Sequence, residues 1–352
     1  MKPLALLMMG VGIASGQPGM QPRLQNARLE TRAVSGTLDA AFRGIVAAQT
    51  APAWIGYAAP QIPGDRQMCC FNTVNGVNYY GCSLEGQGIT TPAFAPPDTV
   101  RLEGASEFFV LFRVENKQVE KVRSFSIDCN VDGGGLPFIW LTGVNPSQSV
   151  ALLESLIPGA ERKVMNGAIS AIGMHRDPAA DAALDRLSAP SQDEETRRQA
   201  AFWLGNSRGR HGYESLVRIL KEDPSDRVRE HAVFALTQSK EPQAIPTVVA
   251  TAREDKSPRV RQQALFWLAQ RAERGISEAE IRRAIEQDPE NTVKRRAVAA
   301  LAQIKNGDGV PVLIEIARTN KNPVVRKEAM HWLGQSKDPR AVKFFEDVLA
   351  VK

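Results

Sequence analysis

The chain has 352 residues, of which 43% are hydrophobic and 24% are charged, and its formal net charge is +5. This composition is ordinary for a folded globular protein, excludes a disordered or collagen-like chain and leaves room for two domains. Residues 161–352 hold the whole positive excess, with 33 Lys and Arg against 27 Asp and Glu. Because the two signs are interspersed, they indicate a solvated helical surface and argue against a nucleic-acid groove, which needs a denser basic stripe.

The N-terminal segment has the layout of a secretory signal peptide. One lysine precedes an apolar run from Pro3 to Ile13, and small residues follow at Ala14 and Gly16. We expect residues 1–16 to be removed on export to the periplasm or the exterior; the alternative is a frayed apolar terminus. No segment approaches the roughly 20 apolar residues that span a bilayer, so we expect no membrane span.

The next part of the chain predicts a flexible leader and then a small antiparallel β domain. Residues 17–35 are polar and aperiodic, as expected of a leader, and Leu38–Ala48 can form one short helix. Over residues 36–146, short β-rich runs alternate with Gly, Pro and Asn. We predict strands at Trp54–Ala58, Met68–Val74, Val77–Leu84, Val100–Leu102, Phe108–Val114, Val119–Ile127 and Phe138–Leu141.

All four cysteines lie in this β-rich region, which in an exported chain suggests a disulfide framework. Asn75-Gly76 is the strongest two-residue hairpin signal, and counting outward from it brings Cys69 opposite Cys82. We therefore predict the disulfides Cys69–Cys82 and, by elimination, Cys70–Cys129. A zinc site is the alternative, but adjacent cysteines without a nearby histidine are poorly spaced for that metal.

A short acidic motif after the last predicted hairpin resembles the opening of a calcium loop. Asp128, Asn130, Asp132 and Gly133 spell D-x-N-x-D-G, in which alternate oxygens can converge on one ion. An EF-hand also needs an acid at loop position 12, where this chain has Ile139. A weak calcium site at the three oxygen-bearing residues and a glycine-rich β-turn both remain possible, and the turn fits better. We expect no other cofactor.

From about Ser147 to the C-terminus, the chain repeats one motif every 32 or 33 residues. The central alanines of the copies are Ala168, Ala200, Ala232, Ala264, Ala297 and Ala329. Such a period marks a solenoid of stacked units, and apolar residues spaced four apart indicate helices. We predict helix pairs at 147–175, 178–207, 212–239, 242–272, 277–305 and 308–336, and a terminal helix over Pro339–Val351.

The repeat resembles the HEAT family over residues 147–352. The resemblance rests on a recurring Asp, Val, Arg arrangement: Asp223, Val228, Arg229; Asp255, Val260, Arg261; Asp288, Val293, Lys294. It implies a right-handed superhelix whose second helices line a concave side that holds other macromolecules. It also implies a structural ladder of Arg197, Arg229, Arg261, Lys294 and Arg326 with Asp223, Asp255 and Asp288, although Asn320 replaces the last aspartate. The same cations could otherwise form a phosphate-binding row.

One face of the second helices is the candidate binding site. With the central alanine as position zero, position +2 lies opposite the apolar stripe and holds Phe202, Phe234, Phe266, Ala299 and His331. A contiguous exposed apolar patch usually marks an interaction site; the alternative is that curvature or the β domain covers these rings. We predict that Phe202, Phe234, Phe266 and His331 bind a partner, bordered at position −2 by Arg198, Arg295 and Lys327. Trp203, Trp267 and Trp332 are interpreted as packing between pairs.

Catalysis has little support in the sequence. The four histidines are dispersed through the repeats, familiar catalytic motifs are absent, and paired cysteines leave no thiol nucleophile. We predict a two-domain α+β chain without catalytic residues: an exported scaffold that holds a protein partner on the concave face. A nucleic-acid or phosphate binder is the alternative, and an enzyme resembling the bilin lyases is a third reading. The partner and the oligomeric state stay open.

Overall fold

The computed structural model describes residues 21–64, 68–74, 77–80, 82–86, 106–271, 273–304 and 309–350. Contacts divide the chain into two compact units, Met1–Ser149 and Val150–Lys352. The predicted signal peptide, the Asn75-Gly76 turn and the predicted strand at Val100–Leu102 lie outside the described residues.

The first unit is built from strands and one helix. Its strands are β1 (Arg23–Gln25), β2 (Arg28–Ala33), β3 (Ala53–Pro60), β4 (Phe71–Val74), β5 (Val77–Tyr80), β6 (Cys82–Ser83), β7 (Glu107–Glu115), β8 (Gln118–Ser126), β9 (Asn130–Asp132) and β10 (Pro137–Thr142). The helix α1 (Leu38–Ala48) begins after Thr37, whose side chain accepts a hydrogen bond from the Ala40 N–H. The predicted β-rich region and its single short helix are therefore confirmed.

The main sheet is mixed, which corrects the expectation of an antiparallel β domain. Its strand order is β2-β10-β3-β7-β8, and β10 runs parallel to both β2 and β3. The pairs β3–β7 and β7–β8 are antiparallel. The connection from β2 through α1 to β3 is a crossover, which is how parallel strands are joined, whereas the sequence signals were those of hairpins.

The expectation of a flexible leader over residues 17–35 is wrong for its second half. Residues 23–25 pair with β9, and residues 28–33 pair along the whole of β10. These strands lie at sheet edges and most of their side chains are exposed. Because backbone hydrogen bonds hold these two strands, their side chains need not be apolar. The segment therefore has no apolar pattern from which a strand could be predicted.

Both faces of the main sheet are buried at its strands β3, β7 and β10, which explains the unbroken apolar run Phe108–Phe112 in β7. On one face α1 covers the sheet, with the Phe42 and Phe112 ring centroids 4.8 Å apart. On the other face Trp54, Phe109 and Trp140 form a cluster that includes Cys82 and Cys129. The cysteines thus sit beneath the sheet, where they link the flanking loops to its core.

The predicted disulfide pairing is wrong. The structure contains Cys69–Cys129 and Cys70–Cys82, and no described cysteine is free. The β4–β5 hairpin has the register that the count from the turn predicts, Phe71 opposite Tyr80. Cys82, however, has left the hairpin and entered β6, where it pairs with β9 beside Val131. Counting along the hairpin ladder therefore no longer applies at the cysteines.

The second unit consists of antiparallel helix pairs followed by one helix, as the sequence predicts. The helices are α2 (Pro146–Ser155), α3 (Arg162–Met174), α4 (Ala179–Leu187), α5 (Glu194–Ser207), α6 (Gly209–Glu222), α7 (Asp226–Leu236), α8 (Ala244–Glu254), α9 (Pro258–Arg271), α10 (Arg274–Gln287), α11 (Asn291–Ala302), α12 (Val310–Thr319), α13 (Pro323–Gln335) and α14 (Pro339–Ala350). Every central alanine of the repeat is fully buried. Among the described residues, no helix has the length and apolar character needed to cross a bilayer.

Candidate protein-binding face of the second helices

The second helices of the pairs lie side by side in the order α3, α5, α7, α9, α11, α13. Capping side chains fix where several of them begin: Asp193 accepts from the Thr196 N–H, Ser225 from the Val228 N–H and Asn322 from the Val324 N–H. The central alanines and their apolar neighbours face inward, so positions −2, −1 and +2, together with the tryptophans at position +3, form the outer face of this helix layer. The alanines at these positions, Ala235, Ala299 and Ala300, are buried.

Aromatic side chains form a continuous row across three of these helices. The Phe202 and Phe234 rings stack with centroids 6.2 Å apart, and Phe234 lies 4.7 Å from Trp267. Trp203 contacts Phe202 edge-on at 5.3 Å, and Phe266 contacts Trp267 at 5.1 Å. All five rings are half-buried. We refer to Phe202, Trp203, Phe234, Phe266 and Trp267 as the aromatic row.

The interpretation of Trp203 and Trp267 as packing between pairs is confirmed, and both also belong to the aromatic row. Trp203 packs against Gly173 of α3, Trp267 contacts Phe234 of α7, and both tryptophans keep part of their surface exposed. His331 is exposed and contacts only the ring of Trp332 among the described aromatics, at 5.7 Å. Ala299 ends the row at α11, where the Arg296 guanidinium lies 5.5 Å from the Phe266 centroid.

The polar border at position −2 is held by ion pairs within the layer. The Arg198 guanidinium lies 2.7 Å from the Glu195 carboxylate. Arg295 reaches the Glu328 carboxylate on the next helix at 2.8 Å. Lys327, the third predicted cation, is exposed. Two of the three predicted cations therefore already have carboxylate partners, and the border at position −2 stays a prediction.

The sequence analysis missed a row of amides one helical turn beyond position +2. It consists of Asn206, Gln238, Gln270, Gln303 and Gln335. Gln335 is exposed and the other four are half-buried. A carboxamide both donates and accepts, as a peptide backbone requires. Aligning the repeats at their central alanines reveals this row, because the residue type recurs at position +6.

His231 lies beside the aromatic row, 5.6 Å from the Phe234 ring. Burial lowers the pKa of its imidazole to about 4, and the charge of Arg198 lowers it further, while Glu195 acts in the opposite direction. At neutral pH this imidazole is uncharged, so it extends the apolar character of the row.

The predicted cation row lies inside the stack and pairs with the turn aspartates. The Arg197 Nε atom lies 2.8 Å from Asp223 Oδ2, and the same atom of Arg261 lies 2.8 Å from Asp288 Oδ2. Arg229, which is only 1% exposed, donates two hydrogen bonds to the Asp255 carboxylate, from Nε at 3.0 Å and from Nη2 at 3.2 Å. We call these three pairs the Arg–Asp ladder. Each links one helix pair to the next, and their burial leaves the arginines inaccessible to a phosphate backbone.

The ladder changes after its third pair. Lys294 donates to the Glu286 carbonyl at 2.9 Å, and Arg326 donates to the carbonyl of Asn320 at 2.8 Å. The Asn320 side chain accepts from the Asn322 N–H at 2.9 Å, as each ladder aspartate does from the residue two positions on. The turn at Asn320 therefore keeps its hydrogen bond, although the charge pair of the ladder is lost there.

The residues of the calcium motif lie in strand β9 and beside it. Asn130 and Asp132 belong to strand β9, whose other residue, Val131, is buried. The Asp132 carboxylate accepts from the Gly134 N–H at 2.8 Å and from Asn26 Nδ2 at 3.4 Å. Gly134 and Gly135 have positive φ angles of 65° and 80°, as a glycine-rich turn requires. Asp128 lies instead beside Cys69, which is bonded to Cys129 and offers no thiolate to a metal.

The histidines of the repeats do not form a catalytic group with the described residues around them. Asp185 comes nearest to such a group, because its carboxylate lies 3.1 Å from His211 Nε2 and accepts from the Ser215 hydroxyl at 2.6 Å. A nucleophilic serine needs the imidazole beside its oxygen. Here the carboxylate separates the serine from the histidine, so the group holds α4 against α6.

The comparison with family models agrees with the repeat architecture. The family model for HEAT repeats matches residues 180–269 and 278–352. Human deoxyhypusine hydroxylase is 17% identical over 58% of this chain and 91% of its own, with a TM-score of 0.31. The CpcE and CpcF complex of phycocyanin lyase from Nostoc is 19% identical over 46% of this chain and 100% of its own, with a TM-score of 0.31. Yeast importin-β is 14% identical over 57% of this chain and 31% of its own, with a TM-score of 0.30. No curated protein sequence matches the chain.

Proposed function

We propose that this protein, whose residues 180–352 are HEAT repeats, is an exported, non-enzymatic scaffold that holds a protein partner on the face of its second helices. HEAT solenoids commonly bind protein partners, and the family resemblance puts the second helices on the concave side. The site is the aromatic row with the amides beside it, and the ligand is an apolar segment of the partner.

The continuity of the aromatic row carries this proposal. Five rings on α5, α7 and α9 contact one another and remain partly open to solvent. A patch of this kind costs solubility unless a partner covers it, and aromatic side chains are the usual anchors of interfaces. The amide row can bond the backbone of the segment whose side chains fill the space between the rings.

The first experiment locates the partner on this face. A photo-crosslinking residue replaces Phe234 in the full chain, and a matched variant carries it at Ile276, which is 41% exposed on the first-helix layer. We expect a discrete crosslinked species from position 234 and none from position 276. Equal crosslinking from both positions contradicts the proposal.

The second experiment separates binding from stability. Replacing Phe202, Phe234 and Phe266 together by Ala removes partly exposed rings, so we expect partner binding to be lost while each ring costs about 1 kcal/mol of unfolding free energy. A much larger loss of stability with binding unchanged would mean that the rings belong to the core.

Export is tested by the intact mass of the natively expressed protein from separated cell fractions. An exported chain lacks residues 1–16 and gains about four daltons on reduction, as two disulfides require. A full-length intracellular mass with free thiols contradicts export. The same protein then needs testing against nucleic acid, whose affinity falls steeply with salt.

A further inference from the structure

Two equivalent grooves lie between first helices, 65 residues apart along the chain. One is bounded by α6 and α8 and has a volume of about 370 Å³, with Arg229 and Asp255 in its wall. The other is bounded by α10 and α12 and has a volume of about 430 Å³, with Lys294 and Asn320 at the same two repeat positions. Comparing the two grooves shows how an intact ladder position differs from an altered one.

In the groove between α6 and α8, a carboxylate from the chain occupies the ladder position. Asp255 accepts from Arg229 through both oxygens, and one of these oxygens also accepts from the Ser257 N–H at 2.8 Å. The two grooves carry the same net charge of +1, with three cations and two anions in each wall. They differ at the ladder position, which in this groove has no vacant place for an anion.

In the groove between α10 and α12, donors replace the carboxylate. The Asn322 N–H fixes Asn320 Oδ1 as the acceptor of the turn, so the Asn320 NH₂ group takes the place of the second aspartate oxygen. The Lys294 ammonium, which stands where Arg229 stands in the first groove, donates to the Glu286 carbonyl. The Lys294 ammonium and the Asn320 NH₂ group are therefore both donors, and this groove lacks the carboxylate acceptor that Asp255 supplies in the other groove.

The rest of this groove fits a small monocarboxylate with an apolar body. The Arg282 guanidinium donates to both carboxylate oxygens of Glu315, at 3.1 and 2.9 Å, so these two charges compensate each other. Lys321 adds a second cation to the wall, and the Glu286 side chain adds one anion, which disfavours a doubly charged ligand. Ile285 and Ile316 supply an apolar floor.

We propose that the groove between α10 and α12 binds a carboxylate group, which Lys294 and the Asn320 amide hold where the preceding repeats hold their own aspartate. The ligand is a short monocarboxylate or the equivalent acidic end of a larger molecule. The site is separate from the aromatic row and does not depend on it.

Sodium butyrate is the probe, compared with sodium chloride at equal ionic strength by thermal unfolding of the full chain. Ligand binding to the folded state alone raises the unfolding temperature with a saturating dependence on concentration. We expect that rise with butyrate, and saturation-transfer NMR signals from the butyrate methyl group. Identical unfolding in butyrate and chloride overturns the proposal.

The Asn320→Asp variant supplies the carboxylate from the chain itself. We expect it to unfold a few degrees above the wild type without ligand and to show no response to butyrate. A variant that keeps the full response shows that the ligand is bound elsewhere and overturns the proposal.

Replacing one lysine in each groove separates a local effect from a general charge effect, with Lys256 at the repeat position of Lys321. Lys294→Met keeps most of the stem and removes the charge, so we expect the butyrate response to disappear. Lys256→Met makes the same change in the groove between α6 and α8, and the response should persist. Equal loss in both variants indicates a general charge effect and contradicts the assignment.

Discussion

At the scale of single residues, the Arg–Asp ladder is the most demanding feature of the second unit. Arg229 is almost completely removed from solvent, and its charge is tolerated because Asp255 and the Asp223 carbonyl accept its hydrogen bonds. Such pairs add little net stability compared with well-packed apolar residues, but breaking one leaves a buried charge uncompensated. The ladder therefore fixes the register of the stack more than it strengthens it.

Replacing Asp255 by Ala should destabilise the second unit strongly, by about 3–5 kcal/mol, because the Arg229 charge stays buried without its partner. Urea unfolding monitored by circular dichroism measures the loss. Asp347→Ala is the control, since its pair with Arg318 lies at the surface and its loss should leave the unfolding midpoint nearly unchanged. A similar effect of both substitutions contradicts a special role for the ladder.

His231 should make the protein less stable as the pH falls from about 6.5 to about 4. Burial lowers the pKa of its imidazole to about 4 in the folded state, so over this range the unfolded chain binds the proton and the folded chain does not. Each such proton lowers the free energy of unfolding by at most about 1.4 kcal/mol per pH unit.

The measurement is a series of urea unfolding curves between pH 7 and pH 4 for the wild type and His231→Gln. The variant should show the shallower loss of stability with falling pH. His175, whose pKa burial also lowers to about 4, titrates in both proteins and cancels from the comparison. Parallel curves for the two proteins would show that His231 does not titrate in this range.

At the scale of helices and strands, the sequence predicts those elements whose apolar residues form a regular stripe or an unbroken run. The helix pairs are found because each second helix buries an apolar stripe against its neighbours, and β7 is found because its run Phe108–Phe112 is buried on both faces. Strands β1 and β2 were missed because edge strands joined by backbone bonds need no apolar side chains. The cysteine pairing was missed because it depends on β6 joining β9, a contact between distant segments.

Close packing of α5 against α7 depends on Gly205. A Cβ atom added there would collide with the Ala235 carbonyl, so Gly205→Ala should force the two helices apart and destabilise the protein by about 1–3 kcal/mol. Gly334 occupies the same repeat position in α13, and an added Cβ would meet nothing closer than Phe345 at 4.0 Å. Gly334→Ala should be neutral or stabilise by up to about 1 kcal/mol, because alanine favours the helix. Chemical denaturation of both variants checks the contrast, and a loss of stability in both would contradict it.

At the scale of the whole molecule, the solenoid could be predicted far more fully than its binding face. A fixed period with one buried alanine per repeat identifies the stack and places Phe202, Phe234 and Phe266 on its outer side. The period does not show that Trp267 turns toward Phe234, because that contact depends on how adjacent helices are offset. The α10–α12 groove is visible in the sequence only as Lys294 and Asn320 replacing Arg and Asp, and its shape requires the fold.

The two disulfides should contribute unequally to the stability of the first unit. Cys69–Cys129 closes a 60-residue separation and Cys70–Cys82 one of 12 residues. The chain-entropy estimate gives about 4 kcal/mol for the longer loop and about 3 kcal/mol for the shorter. Each disulfide is removed in its own variant by replacing both of its cysteines with Ser, and the loss of unfolding free energy is measured. A larger loss on removing Cys70–Cys82 than on removing Cys69–Cys129 would contradict the prediction. Peptide mapping without reductant checks the connectivity itself.

The altered ladder position also bears on how the repeats come apart. Repeats of a solenoid are coupled only through their neighbours. At Lys294 and Asn320 the charged bridge between α11 and the turn after α12 is lost, because Lys294 donates to the end of α10 and Asn320 accepts within its own turn. We expect the helices beyond this point to open and reclose more often than the helices before it. If the α10–α12 groove binds an anion as proposed, its occupancy restores the bridge and makes that opening rarer.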